Sequence, residues 1–553
     1  RYAVYHYYFS FEANSRFQYY KKENTSGDNS VTDEECWKLS VNFDVPEWAK
    51  GAIMYQIFVD RYKRTRGLEK PKMKGRDIHN NWTEPPVVGP NKDGKWCVDF
   101  YCGDVKGITD TMKYLKKLGV DIIYLCPISE SQSNHRYDTA DYKSVDPYAG
   151  TTDMMKEMCE KAHKYGIKVI LDVVFNHTGN DSIYYNEYGH YDSIGAYQVA
   201  KDPRYKGMVS PYSDFYDTDC HFGKHEFKFW WNQPNMPKCN GKSEHWRNFI
   251  CGKEGAIYFY FSLGIDGLRL DVADELLDEF VEDTHTAAVR NKPYAFLMAE
   301  MWENNPMDRG FLKNAKGIHS LMNYRLTDAI MRYYKYCDVN KLREALRFIS
   351  TEYPEGTILT LMNFTSTHDI SRAIEIFGCN IFNEYALWAW DLIKGNGDCE
   401  WIKQHKMTSY EYHCGKRVLK SYCFALTFLQ GIFSIFYGDE VGVQGVGNLA
   451  NRAPYPWGHK DLLKYFRGLG KIRKENQFLR TAEQKIVKID HEHFVFERYN
   501  ENESIMVIVS RTHHITKVDL PEEYRDGEVV ARLKSCTKQE LSPFGAIAIR
   551  KTK

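Results

Sequence analysis

Four short runs of the chain end in residues suited to acid–base or nucleophilic chemistry. Arg269 and Asp271 alternate with Leu268 and Leu270, so in an extended chain both polar side chains face the same way. An arginine beside a carboxylate favours the ionised form that a nucleophile or charge stabiliser needs. For this pair alone, a structural ion pair capping a strand is the competing reading. Asp172, Asn176 and His177 follow Val169-Ile170-Leu171; Glu300 and then Trp302 follow Phe296-Leu297-Met298-Ala299; His368, Asp369 and Arg372 follow Leu361-Met362-Asn363-Phe364. A strand-end Asp often caps the next helix, and a single His is more often a satisfied hydrogen-bonding residue than a catalyst. Capping does not account for Glu300 ahead of Met-Trp, or for histidines beside two of the carboxylates. Three carboxylates in one pocket can divide their labour. One beside Arg269 stays ionised, while another in the apolar setting of Trp302 keeps its proton longer. That division suits cleavage of a glycosidic bond through an oxocarbenium-like transition state.

Such convergence requires strands whose C-terminal ends share a face. From Trp48 onward, apolar strand-like runs at 52–58, 120–128, 168–175, 265–270, 295–298, 321–323, 358–364 and 432–436 alternate with helix-periodic segments. Runs this apolar do not suit a half-exposed sheet and predict an all-parallel α/β fold. The leading architecture is a (β/α)8 TIM barrel, with a doubly wound open sheet as the alternative. Two connections are too long for plain loops. Residues 178–242 read as a small domain inserted after the third strand, and 379–421 as a second insert containing Trp388, Trp390 and Trp401. The catalytic barrel is expected over 48–475. Alternating runs at 494–499 and 505–510 predict an all-β sandwich over 476–553. Residues 1–47 read as the remnant of an N-terminal β-domain.

Composition narrows the partners. Lys plus Arg and Asp plus Glu are both 74, a formal net charge of zero, which removes the electrostatic motive for binding nucleic acid or an anionic membrane. The apolar stretch 422–437 is broken by Thr427, Gln430, Gly431 and Ser434 and reads as a helix followed by a buried strand, not a membrane span. Aromatic residues make up 15%; their flat faces and polar tips fit either a core or sugar stacking. Fourteen cysteines are scattered singly without a CxxC pair, which favours a reducing, cytoplasmic compartment.

The ordered set DVVFNH (172–177), GLRLDVADE (267–275), AEMWE (299–303) and FTSTHD (364–369) resembles the motifs of the α-amylase superfamily. Supporting pieces are YQIFVDRY (55–62), SNHRYDTADY (133–142), FYGDEVG (436–442) and NRAPYPWG (451–458). The resemblance implies that Asp271 is the nucleophile, Glu300 the general acid/base and Asp369 the third carboxylate that holds substrate hydroxyls. It implies that Arg269 orients Asp271, that His177 and His368 bind hydroxyls of the cleaved sugar, and that Tyr137 and Asp138 contact glucose, Tyr137 by stacking. Trp302 and Arg452 complete the implied substrate-binding set. MPKCN (236–240) and VADE (272–275) are similar to the cyclomaltodextrinase, neopullulanase and maltogenic amylase group, from whose usual sequences Cys239, Asp274 and Glu303 depart. The implied activity is retaining hydrolysis of α-1,4, and in some members α-1,6, bonds of maltooligosaccharides, cyclodextrins or pullulan, in a chain that can form a homodimer.

No cofactor is expected, and no metal at the chemistry. Asn176 follows a motif that borders a calcium site in some members of the superfamily, but the loop after Asp60 is cationic and no oxygen cage is legible around either residue. The alternatives are a transglycosylase or α-glucoside isomerase of the same superfamily and a non-catalytic sugar-binding barrel. Retention of the three carboxylates, Arg269 and both histidines argues against the last. A phosphate-binding barrel would need a Gly-rich phosphate loop, and none is present.

Overall fold

The computed structural model describes residues 3–13, 16–21, 26–27, 31–32, 35–41, 43–221, 224–302, 310–312, 316–381 and 396–551. Glu303, Trp388 and Trp390 lie outside them. Eight parallel strands form one sheet: β1 (Ile53–Ile57), β2 (Ile122–Leu125), β3 (Lys168–Val173), β4 (Gly267–Leu270), β5 (Phe296–Ala299), β6 (Ser320–Leu321), β7 (Met362–Phe364) and β8 (Ile432–Phe436). Neighbours in sequence pair from β1 to β6, and β8 pairs with both β7 and β1. A parallel bridge between Met322 and Met362 joins the two remaining edges, closing the sheet as a TIM barrel. The eight predicted strands are all present. The seventh is shorter than its apolar run, because Glu355–Thr360 forms a helix and Ile358 belongs to it.

Both faces of the barrel strands are buried, which explains why their sequences read as continuous apolar runs. Parity still decides where each side chain points. Met54, Tyr124, Ile170, Met298, Met362 and Ile432 pack inside the barrel, while Tyr55, Ile123, Leu171, Leu268, Leu297 and Phe433 pack outward in the larger core. Gly267 begins β4 where the backbone of β5 comes close: a Cβ there would meet Phe296 O at 2.3 Å.

After β3 the chain leaves the barrel and builds a small inserted domain. It holds a hairpin (Thr218–His221 with Lys224–Phe227) and returns through Met236–Asn240, which bridges back to the end of β3 at His177↔Lys238. At the N-terminus, Ala3–Tyr7 pairs with Trp37–Val41, and Phe9–Ala13 forms a hairpin with Arg16–Tyr20. The C-terminal domain is a five-stranded antiparallel sheet of β9 (Glu483–Ile489), β10 (His493–Tyr499), β11 (Ser504–Ser510), β12 (Glu528–Arg532) and β13 (Ala546–Arg550), in the order β9-β10-β11-β13-β12. Phe494, Phe496 and Val507 face the barrel. Val495, Met506 and Ile547 face a second layer that includes Tyr524 and Leu541. Among the described residues, no helix is long and apolar enough to cross a membrane.

Two buried arginines tie carbonyl groups together at the N-terminal end of the barrel, and one of them, Arg498, joins this domain to it. Arg473 donates to Gly51 O (3.1 Å), Thr427 O (2.5 Å) and Gly431 O (2.5 Å). Arg498, on β10, donates to Phe428 O, Leu479 O (2.8 Å) and Ala482 O (2.9 Å). Both thereby satisfy carbonyls at the end of the helix Ser409–Phe428, which would otherwise be unpaired. A cavity of about 440 Å³ lies at the same junction, lined by Leu346, Leu429, Gln430, Gln484 and Ile489, at the opposite end of β8 from the polar strand ends. Replacing Arg498 by Met is expected to lower unfolding stability by about 2–4 kcal/mol, because the orphaned carbonyls stay buried. Urea unfolding followed by fluorescence checks this, and a loss under about 1 kcal/mol would contradict the assignment.

Candidate active site

Inward parity carries polar residues to the C-terminal end of the barrel, two positions beyond other inward-facing ones. Ile170 is followed by Asp172, Arg269 by Asp271, and Met298 by Glu300. In register, Asp172 lies opposite Arg269 and Arg269 opposite Met298. The result is a buried guanidinium shared by three carboxylates. Arg269 Nη1 donates to Asp271 Oδ1 at 2.7 Å and to Asp172 Oδ1 at 2.8 Å, and Nη2 lies 3.1 Å from Glu300 Oε1. Asp271 and Glu300 are thus held by the two terminal nitrogens of one planar group.

Glu300 has further donors. Trp302 Nε1 donates to Oε1 at 3.0 Å and the Val272 N–H to Oε2 at 2.9 Å. Val272 has φ 47° and ψ 44°, a left-handed conformation that costs a β-branched residue roughly 1–2 kcal/mol. The cost is incurred beside Asp271, and it accompanies the N–H that reaches Glu300. Trp302 stacks on Tyr324 with ring centroids 3.7 Å apart.

The third carboxylate comes from the loop after β7. Asp369 Oδ2 lies 3.2 Å from His368 Nε2, and Oδ1 lies 3.9 Å from Arg452 Nη2. Arg452 Nε donates to His368 O at 3.0 Å. The His368 ring is held on both sides, by Gln56 Nε2 at Nδ1 (2.9 Å) and by the Tyr137 hydroxyl at Nε2 (2.5 Å). Tyr137 stacks parallel to His368 and donates to Asp172 Oδ2 at 2.8 Å; Tyr124 donates to the same oxygen at 2.6 Å. One network therefore links Asp172, Arg269, Asp271, Glu300, Trp302, Tyr137, His368, Asp369 and Arg452. His177 lies beside it, stacked on Trp230 at 5.0 Å; burial pushes its pKa down to about 3, so it is neutral. Asp138 takes its hydrogen bonds within its own loop, from the Ser133 hydroxyl and the Ser133 N–H (3.2 Å), and burial pushes it up to about 6.

Sequence reasoning missed part of the site. Gln56 and Tyr124 occupy inward positions of β1 and β2, which strand parity alone could have flagged. Trp230 and Trp231 were not separable from the rest of the inserted domain. Both indole N–H groups donate to Glu275 Oε1 (3.1 and 3.0 Å), and Lys238 holds Oε2 at 2.6 Å. Trp231 stacks on Trp230, is 73% exposed and has φ 46°. Near the suggested calcium position, some of the oxygens already have partners. Asp60 is already paired with Arg61 (2.7 Å) and accepts the Tyr101 and Cys102 N–H groups, while Asn176 O accepts the Cys239 N–H.

Burial and the neighbouring Glu300 charge push Asp271 well above the usual carboxylate range, and Arg269 opposes them, favouring the ionised form that a nucleophile needs. One cation is shared by three buried carboxylates, too little positive charge to cancel the desolvation of Asp271. Burial, then the Glu300 charge, push Asp369 up to about 7. A buried acid with a raised pKa binds protons more tightly folded than unfolded. Stability from this group therefore falls as pH rises from about 4 to about 7. Asp369→Asn removes that penalty. Its Tm should exceed that of the parent by about 2–4 °C near pH 8 and by less near pH 5. A calorimetric gain that is larger at the lower pH would contradict the assignment.

The α-amylase catalytic-domain family model matches residues 56–493. The amylopullulanase of Thermoanaerobacterium thermosulfurigenes is 34% identical over 524 residues, covering 86% of this chain and 26% of that protein. The cyclomaltodextrinase of Geobacillus thermopakistaniensis is 28% identical over 530 residues, covering 91% of this chain and 78% of that one. The solved type III pullulan hydrolase from Thermococcus kodakarensis superposes with a TM-score of 0.73 at 25% identity, covering 99% of this chain and 89% of that one. The chain spans only 26–39% of the length of the amylopullulanases it matches. A closed parallel barrel, strand-end carboxylates in the family's order and a family match over most of the sequence lead to one conclusion: the chain belongs to the α-amylase family.

Proposed function

We propose that this protein is a retaining glycoside hydrolase that cleaves α-1,4, and in pullulan α-1,6, glucosidic bonds of maltooligosaccharides, cyclodextrins or pullulan. The observation that carries the proposal is the single guanidinium of Arg269 holding Asp271 and Glu300 side by side. Retention needs such close carboxyls, whereas inversion needs room for a water between them. Asp271 attacks the anomeric carbon while Glu300 protonates the departing glycosidic oxygen. Glu300 then takes a proton from water, which opens the glycosyl ester and frees Asp271. Asp369, His368, His177, Tyr137, Asp138 and Arg452 bind the ring that becomes the glycosyl group, with Asp369 favouring its distorted form. Trp302 sets the orientation and apolar surroundings of Glu300. The scheme requires no cofactor.

The names of the relatives support the substrate class, since they include amylopullulanase, cyclomaltodextrinase and pullulan hydrolase. A reducing compartment belongs to the same proposal, supported by the cysteines being unpaired among the described residues. So does a homodimer, supported by the exposed rings of Tyr5, Tyr7, Phe9 and Phe11 on the N-terminal strands.

Two measurements test this. Asp271→Asn and Glu300→Gln should each lower kcat by about 10³-fold or more while leaving oligosaccharide binding in place; substantial turnover in either variant would refute the roles given. Incubation with β-cyclodextrin, pullulan and soluble starch in parallel, with the products followed by proton NMR, should give sugars released first as the α-anomer. Initial β-anomer would exclude the retaining scheme, and oligomers longer than the substrate formed from maltotriose would reassign the main reaction to transfer.

A further inference from the structure

A second cluster of ligating side chains lies away from the carboxylate network. Glu375 and Cys379 are four residues apart, on the helix Ala373–Gly378 and at its C-cap, so both side chains lie on one helical face. His405 comes from the other side, immediately after the helix Asn396–Gln404. Its Nε2 is 3.1 Å from Glu375 Oε2, and Cys379 Sγ is 3.2 Å from that oxygen and 3.9 Å from His405 Nε2. Among the described residues this is the group of His, Cys and acidic side chains whose three ligand atoms converge within 4.8 Å of one another. Cys379 and Glu375 are 0% and 2% exposed.

These separations fit a metal as well as they fit hydrogen bonds. A tetrahedral zinc ion bonded at about 2.0–2.2 Å to nitrogen and oxygen and about 2.3 Å to sulfur sets its ligands roughly 3.3–3.6 Å apart. The three distances here fall within about 0.4 Å of those values. A thiolate and a carboxylate balance a dication, and a neutral imidazole completes a donor mix suited to zinc. The surroundings fix each ligand's orientation, as outer partners do at metal sites. Glu375 Oε1 accepts the Gly445 N–H at 3.1 Å, Trp401 stacks on His405 at 4.8 Å, and Lys335 Nζ holds the carbonyls of Ile376 (2.8 Å) and Cys379 (2.7 Å).

We propose that Glu375, Cys379 and His405 form a structural site for a divalent metal of the zinc class, with the fourth position left to water. Binding releases the Cys379 thiol proton to solvent as the metal–sulfur bond forms. The metal cross-links two ligands 26 residues apart in sequence, and such a cross-link removes chain entropy from the unfolded state. It also braces the helix that begins four residues beyond Asp369, whose N-cap residue, Arg372, donates its N–H to Gly445 O at 2.9 Å.

The test uses the full chain, stripped with a chelator, loaded with Zn²⁺ and freed of excess by gel filtration. Free thiols elsewhere in the chain can also take up zinc, so the readout is a difference. The parent should retain about one zinc per chain more than Cys379→Ser or His405→Ala. Zinc should raise the parent's Tm by about 2–4 °C and leave both variants unmoved. Cobalt(II) should give a thiolate-to-metal charge-transfer band in the parent that is lost in Cys379→Ser; His405→Ala provides the comparison if Cys379→Ser folds poorly. Equal zinc retention in parent and variants, with a Tm indifferent to zinc, overturns the proposal and leaves a hydrogen-bonded triad as the brace.

Discussion

A single buried guanidinium governs the active end of this barrel. Arg269 is 0% exposed and touches Asp172, Asp271 and Glu300, so its one positive charge is divided among three negative ones. Removing a cation from water is costly, and only several well-placed partners offset that cost. Arg269 therefore needs all three carboxylates, and they need it. Burial and the Glu300 charge raise Asp271 above the usual carboxylate range, and Arg269 opposes that rise, favouring the charged form that a nucleophile needs.

The barrel is what makes this sharing possible. Parallel register sets Asp172, Arg269 and Met298 side by side on adjacent strands, and a step of two residues along β4 and β5 brings Asp271 and Glu300 to the same level. Rigid strands hold the charged groups, and loops supply what surrounds them. Tyr137 and His368 stack across the opening from two different loops, and both lead back to the carboxylates, Tyr137 through Asp172 and His368 through Asp369. The left-handed backbone at Val272 shows where local strain is accepted to aim a donor. Trp230 and Trp231 form an aromatic wall on Glu275 beside His177, on residues that belong to the inserted domain.

Much of this was legible because the chemistry sits at strand ends. Continuous apolar runs locate the barrel strands, and the polar residues that follow them mark the site. The seventh strand was overextended since 358–360 is as apolar as a strand but packs as the end of a helix, and a short apolar run does not reveal its own period. Gln56 and Tyr124 escaped notice as ordinary strand residues; only their inward parity gives them a role. Arg269 read as the partner of one aspartate, because sequence shows the neighbour two positions away and hides those on adjacent strands. Asp138 accepts its hydrogen bonds from Ser133 within its own loop, a local contact that the motif alone does not show. The pairing of Glu375 and Cys379 with His405 crosses 26 residues and has no local signature.

The assignment of Asp271 as the attacking group is tested most directly by trapping the glycosyl-enzyme. A fluorinated α-glucosyl fluoride, which forms the ester quickly and releases it slowly, would be incubated with the protein before proteolysis and peptide mass analysis. The account predicts one labelled peptide, with the sugar esterified to Asp271. A label on Glu300 or Asp369, or an inactivated protein carrying no sugar, would contradict it.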